Sequence, residues 1–215
     1  MPVDVQKDEE KGLYYVQKEK KRLYFRKSTP AKKIQKYYRA LSMEQDRLSP
    51  HPYFNIVKEV TGKVFVDVGC AEGYSSLEII EEAKHVYLFE QDEQWLEAIR
   101  ATFEPWQDKV TIVQKYVSDH NSSREQTLDD FFNNQTNEHL FLKMDIEGAE
   151  RHALAGCNNL FQNCQKLDFA ICTYHLRDDE EVISAFLDKH NCTYINQKGF
   201  FRHKIRSVVM RGSKK

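Results

Sequence analysis

From Thr61-Gly62 onward the chain alternates short apolar runs with stretches of helical spacing, and that alternation restricts the fold more than any other feature. VFVDVG is expected as a strand and SSLEIIEEA as a helix; HVYLFEQ as a strand and DEQWLEAIRATF as a helix ending before Pro105. KVTIVQKYVS gives a third strand, and TLDDFF a short helix with Thr127 as its N-cap. HLFLKMD with GAERHALAGC, and KLDFAICTYH with DEEVISAFLDKH, repeat the pattern. The last segment, TYINQKGFFRHKIRSVVMRG, reads as two strands with no helix between them, an antiparallel pair at the sheet edge. Strands separated by helices pair in parallel and are covered on both faces. The expectation is an α/β, Rossmann-like fold with a mostly parallel seven-stranded sheet. Ligands of such sheets lie beyond the C-terminal strand ends. Those ends are Asp67 to Tyr74, Glu90, Ser118-Asp119, Asp145 to Glu150 and Tyr174-His175.

Residues 1–60 have a different character, rich in Lys, Arg and Tyr, and are expected as a helical extension to a main domain over residues 61–215. Pro30 suits a helix start, and Ile34, Tyr37, Tyr38 and Leu41 follow at helical spacing. The basic face is either a binding surface or simply solvated, and the extension is a candidate lid or homodimer element. Across the chain 32 basic residues nearly balance 33 acidic ones, which argues against a general nucleic-acid binder. No apolar run approaches the roughly 18 residues of a membrane span, and the N-terminus lacks a signal core. Cys70, Cys157, Cys164, Cys172 and Cys192, an odd set without CxxC spacing, read as reduced thiols. A cytoplasmic location is the expectation.

The turn DVGCAEGYSS carries the first chemical signal. A dinucleotide fingerprint needs GxGxxG to seat a pyrophosphate on a helix N-terminus. Here the glycines are Gly69 and Gly73, and Asp67 and Glu72 would repel phosphate. Carboxylates suit an ammonium group and ribose hydroxyls, both present in S-adenosylmethionine. Glu90, with Gln91, stands about 20 residues on, where a ribose diol is gripped. Ser118 and Asp119, after the third strand, are candidates for the adenine, and Tyr74 and Ser75 follow the loop directly. The alternative is a tight structural turn with solvated carboxylates.

DVGCAEGYSS, then FEQ, FLKMDIEGAERHALAG and CTYH, together resemble the FkbM family of S-adenosylmethionine-dependent methyltransferases, over roughly Val64 to Tyr194. KMDIEGAE is the most specific part. The chain departs from the family at Cys70-Ala71, where Ala-Asn is commoner, and at the Gln after Glu90, where Pro is frequent. The resemblance implies a class I methyltransferase fold and transfer to a hydroxyl, often of a sugar or secondary metabolite. The expected acceptor is a small molecule, a sugar or nucleotide sugar.

Parity along FLKMDIEGAE puts Lys143 and Asp145 on one side, with Glu147 joining them if the backbone stays extended. Glu150 falls in the first turn of the next helix, where it is either a favourable N-terminal carboxylate or a catalytic one. His175 ends the adjacent strand, so Asp145 and His175 are expected to share one crevice. A hydroxyl must lose its proton to accept a methyl group, and a divalent metal lowers its pKa. Related hydroxyl methyltransferases place a metal at these strand tips. The resemblance thus implies a site of Asp145 and His175 with Glu147 or Glu150, for Fe, Mn or Mg, a mixed donor set that suits Fe(II), Mn(II) or Zn(II) better than Mg(II). The other role for His175 is general base, with no metal and a secondary metabolite as acceptor. A non-catalytic cofactor-binding scaffold would keep the Gly69 region alone. Arg202, His203, Lys204 and Arg206 form a basic cluster in the last hairpin, a candidate phosphate contact or a solvated loop.

Overall fold

Tight turns reverse the chain twice within its first 24 residues, so that β1 (Val5–Asp8), β2 (Leu13–Lys18) and β3 (Lys21–Tyr24) form a small antiparallel sheet. This is a computed structural model, and it describes residues 3–133, 138–201 and 204–214. The helix expected after Pro30 follows as α1 (Ala31–Glu44). The extension therefore holds the expected helix and adds a sheet, because LYYVQK and KRLY place Leu13, Tyr15, Val16 and Leu23 in the interior.

The alternating part comprises β4 (Val64–Val68), α2 (Tyr74–Ile79), β5 (His85–Phe89), α3 (Glu93–Phe103), β6 (Val110–Val113), β7 (Tyr116–Val117), β8 (Glu125–Gln126) and α4 (Leu128–Phe131). It continues as β9 (His139–Met144), α5 (Glu150–Ala155), α6 (Asn158–Asn163), β10 (Lys166–Cys172), α7 (Asp179–Lys189), β11 (Thr193–Phe201) and β12 (Lys204–Lys214). Thr127 caps α4 through a bond from the Asp130 amide to its Oγ1, 3.2 Å. The expected third strand splits after Val113, and its second half forms a separate two-stranded ladder with β8.

The large sheet has seven strands in the order β11-β12-β10-β9-β4-β5-β6. All its pairings are parallel except those made by β12, the reversed strand inserted between β10 and the edge strand β11. Period-two alternation in β4 sends Val64, Val66 and Val68 into the core under α5, α6 and α7. Phe65 points to the opposite face, where it stacks on Phe141 at 5.4 Å between ring centroids. On that second face the extension is part of the core: Leu23, Phe25 and Ile34 share one apolar cluster with Leu77 and Ile99. Polar bonds reinforce the seam. The Tyr24 amide donates to Thr102 Oγ1 at 3.0 Å, Lys21 Nζ to the Leu77 carbonyl at 2.8 Å, and Lys18 pairs with Glu78. Of the basic cluster in the last hairpin, Arg202 and His203 lie outside the described residues, and Arg206 donates to the Leu176 carbonyl.

Candidate active site

Register does the first piece of assembly. Asp67 of β4 and Lys143 of β9 are cross-strand partners, and both point to the same face. Their side chains are buried and meet at 2.8 Å. Lys143 Nζ also donates to the Gly69 carbonyl at 2.6 Å, and Ser76 Oγ donates to the other Asp67 oxygen at 2.6 Å. Burial would favour a neutral lysine, but Asp67 and Asp145 outweigh it and raise the Lys143 pKa.

Gly69 makes the turn possible. It has φ 76°, and a Cβ there would sit 2.2 Å from the Asp145 carbonyl oxygen and 2.6 Å from Ile146 Cγ2. The glycine thus lets the loop after β4 lie against the tip of β9. Gly73 serves packing instead: its Cβ would meet the Phe103 ring at 2.7 Å.

A cavity of about 580 Å³ opens where these tips converge, within the usual size of ligand pockets. One half is lined by Asp67 to Glu72, Tyr74, Ser75, Glu90 and Gln91. Glu90 accepts from the amides of Ala71 (3.0 Å) and Asp92 (2.7 Å), which ties the first loop to the second. Glu72 is buried, and burial pushes its carboxyl up to about 7 despite a 2.7 Å bond from Tyr37 Oη. Trp95 completes this wall, stacked with Tyr37 and covered by the Arg26 guanidinium, which pairs with Asp92 at 3.1 Å.

The other half is lined by Leu41, Glu44 and Gln45 of α1, by Tyr53, and by Asp145, Glu147 and Tyr174. Asp145 Oδ2 accepts from Tyr53 Oη at 2.6 Å, whereas its buried Oδ1 has no hydrogen-bond partner. Burial pushes Asp145 up, but Lys143, the Tyr53 bond, His51 and His175 outweigh it and hold the carboxyl below its usual value. Behind Asp145 stands His175, its Nε2 3.5 Å from Asp145 Oδ1 and its Nδ1 2.9 Å from Glu150 Oε1. Burial draws His175 down, yet Glu150, Asp145 and Glu147 together raise it. Glu150 is buried, caps the loop by accepting from the Ile146 amide at 2.9 Å, and leaves Oε2 without a partner. Glu147 has φ 55°, and its side chain is 92% exposed at the mouth, so the extended parity expected of it ends at Asp145. Glu44 is raised by burial and by the charges of Asp145 and Glu147.

Of the residues expected for a cofactor, Asp67, Gly69, Glu72, Tyr74, Ser75, Glu90 and Gln91 line the cavity. Gly73 lies behind it, and Ser118 and Asp119 lie outside its lining, where Asp119 pairs with His120 at 2.8 Å. Lys115, Tyr116 and Val117 hold the wall instead. Lys143 and Asp145 line the cavity, while His175 and Glu150 support Asp145 from behind. No motif singles out Arg26, Tyr37, Glu44, His51, Tyr53 or Trp95; for those before residue 60, the clustering of tyrosines there is the available signal.

These features define a class I methyltransferase-like unit, and comparison with known proteins agrees. The profile described as Methyltransferase FkbM domain matches residues 47–195, and the chain belongs to this family of methyltransferases. The crystal structure of methyltransferase FkbM from Methylobacillus flagellatus KT is similar at 19% identity and TM-score 0.58, over 70% of this chain. This chain covers only 43% of that one. SMU.1697c from Streptococcus mutans, in complex with SAH, aligns at 14% identity and TM-score 0.52, over 74% of this chain and 93% of its own. Magnesium protoporphyrin IX methyltransferase from Synechocystis PCC 6803, with bound SAM, aligns at 12% identity and TM-score 0.50, over 73% and 72%. Among curated proteins no match is found. No helix of the described residues is long and apolar enough to cross a membrane.

Proposed function

We propose that the protein transfers a methyl group from S-adenosylmethionine to a hydroxyl of a sugar, sugar nucleotide or related small molecule. The observation that carries this reading is the division of one cavity into two unlike halves. A carboxylate-rich loop with Glu72 and Glu90 suits the ammonium and ribose of the cofactor. The second half presents the Asp145 carboxylate, held by Tyr53 and backed by His175.

In the reaction the acceptor oxygen attacks the methyl carbon in line with the sulfur; the C–O bond forms as the C–S bond breaks. The hydroxyl proton passes to the Asp145 carboxylate, which Tyr53 holds in place and which His175, oriented by Glu150, backs from behind. Tyr53 donates to Asp145 Oδ2 at 2.6 Å and fixes the orientation of the carboxylate. His175 does not line the cavity, which favours a role through Asp145 over direct contact with the acceptor.

A divalent ion fits the same groups. Ligand atoms of Asp145, Glu150 and His175 lie within 4.8 Å of one another, and buried Asp145 Oδ1 and Glu150 Oε2 lack hydrogen-bond partners. One imidazole and two carboxylates suit Fe(II) or Mn(II) better than Mg(II). Glu150 takes the third place in preference to Glu147, whose side chain is in solvent. Such an ion would lower the pKa of the acceptor hydroxyl.

The test is turnover with labelled S-adenosylmethionine across a panel of sugars, with chelator or added Mn(II). Asp145→Asn is expected to abolish methyl transfer while leaving S-adenosylhomocysteine affinity intact. Loss of both together would remove Asp145 from the acceptor side.

A further inference from the structure

The acceptor half of the cavity has an electrostatic bias that the cofactor does not explain. Asp67, Glu72 and Glu90 face the cofactor loop and are held by Lys143, by Tyr37, and by the Ala71 and Asp92 amides. Beyond them Glu44, Asp145 and Glu147 share one space.

The cations lining the cavity already have partners. Among the described residues they are Arg26, Lys115 and Lys143. Arg26 pairs with Asp92 and covers Trp95. Lys115 donates to Gln126 Oε1 at 3.2 Å. Lys143 is held between Asp67 and the Gly69 carbonyl, and its Nζ also lies 5.2 Å from the Tyr53 ring centroid, where its charge acts on Asp145. None of the three faces Glu44 or Glu147. Glu147 has one partner behind it, His175 Nε2 at 3.5 Å from Oε2, and none of the three lining cations pairs with Glu44.

The rest of this half is aromatic. Tyr53 and Tyr174 both line it, with the His51 ring between them at 5.5 and 5.3 Å from their centroids. Carboxylates beside aromatic faces stabilise a cation through Coulomb and cation–π attraction and repel phosphate. The Glu147 backbone also bears on this: a non-glycine residue at φ 55° is strained, and here it sits on the cavity rim.

We infer that the acceptor carries a protonated amine close to the hydroxyl that is methylated, as in an amino sugar, and that phosphorylated and nucleotide-linked sugars are rejected. The amine sits between Glu44, Asp145 and Glu147, with the sugar ring against Tyr53 and Tyr174. This rests on the proposed methyl transfer and narrows its acceptor class.

The experiment uses the full chain loaded with S-adenosylhomocysteine, at near-neutral pH, where the amine is largely protonated and Glu72 carries charge. Glucosamine, N-acetylglucosamine and UDP-N-acetylglucosamine are titrated by calorimetry. The first two share a skeleton and differ in charge; the third adds a diphosphate. The amine is expected to bind about tenfold more tightly than its acetylated form, with no binding of the UDP-linked sugar. Glu44→Gln combined with Glu147→Gln is expected to erase the preference, and high salt to reduce it. Equal or weaker binding of the amine than of the acetylated sugar, no binding of the amine at all, or tighter binding of the UDP form overturns the inference. Failure to load S-adenosylhomocysteine beforehand would strike the cofactor reading instead.

Discussion

Replacing Lys143 with methionine removes the cation that faces the buried Asp67 carboxylate. The two side chains are 6% and 2% exposed, so water screens the pair little. Removing one partner of such a pair costs about 3–5 kcal/mol, because the remaining charge is left uncompensated. Ser76 still donates to Asp67, which sets the expectation at the lower end, about 3 kcal/mol. In a chain of this size each kcal/mol moves Tm by about 2–4 °C, so a fall of about 6–12 °C is expected. Removing both charges, as Asp67→Asn with Lys143→Met, restores much of the loss. Urea and thermal unfolding of wild type, Lys143→Met, Asp67→Asn and the double variant measures the coupling. A Lys143→Met protein within about 2 °C of wild type, inactive only in turnover, would refute this reasoning and make Lys143 a catalytic residue.

Gly69→Ala forces a side chain into the Asp145 carbonyl at φ 76°, and is expected to cost more than about 2 kcal/mol and to abolish S-adenosylhomocysteine binding, read by melting and calorimetry. Glu72 ionises near pH 7, and only its charged form attracts the cofactor ammonium. Affinity for S-adenosylhomocysteine should therefore rise with pH through that region, and Glu72→Gln should flatten the profile. In the unliganded protein the sign is opposite for stability. The folded state keeps a proton that the unfolded chain releases, so Tm should fall as pH rises from about 4.5 to about 7. Tyr53→Phe removes a bond that favours ionised Asp145, and is expected to move the acidic limb of the kcat/KM profile upward while cofactor affinity stays unchanged.

The sheet and the cofactor loop were legible because both follow from local patterning. The period-two runs of β4 and β9 fix which faces Phe65, Asp67 and Lys143 take, and the strand-end rule then places Glu90 and Asp145. Three features needed tertiary information. The β1–β3 sheet arises from short, charged strands whose apolar residues acquire meaning only against α2 and α3. Asp119 left the cavity because the third strand breaks at Lys115 and re-pairs with β8. Tyr53 and Glu44 reach the site across 92 and 101 residues of sequence from Asp145, a distance no motif spans. The requirement for glycine at position 69 was visible, but its cause, the approach of Asp145, was not.

The central claim is that one cavity holds S-adenosylmethionine on the Glu72–Glu90 side and an acceptor on the Asp145 side. The most direct test is calorimetric titration of S-adenosylhomocysteine into wild type, Glu90→Ala and Asp145→Asn. The account predicts saturable binding to wild type, a loss of about tenfold or more in Glu90→Ala, and wild-type affinity in Asp145→Asn. No binding to wild type, or binding indifferent to Glu90, would contradict it.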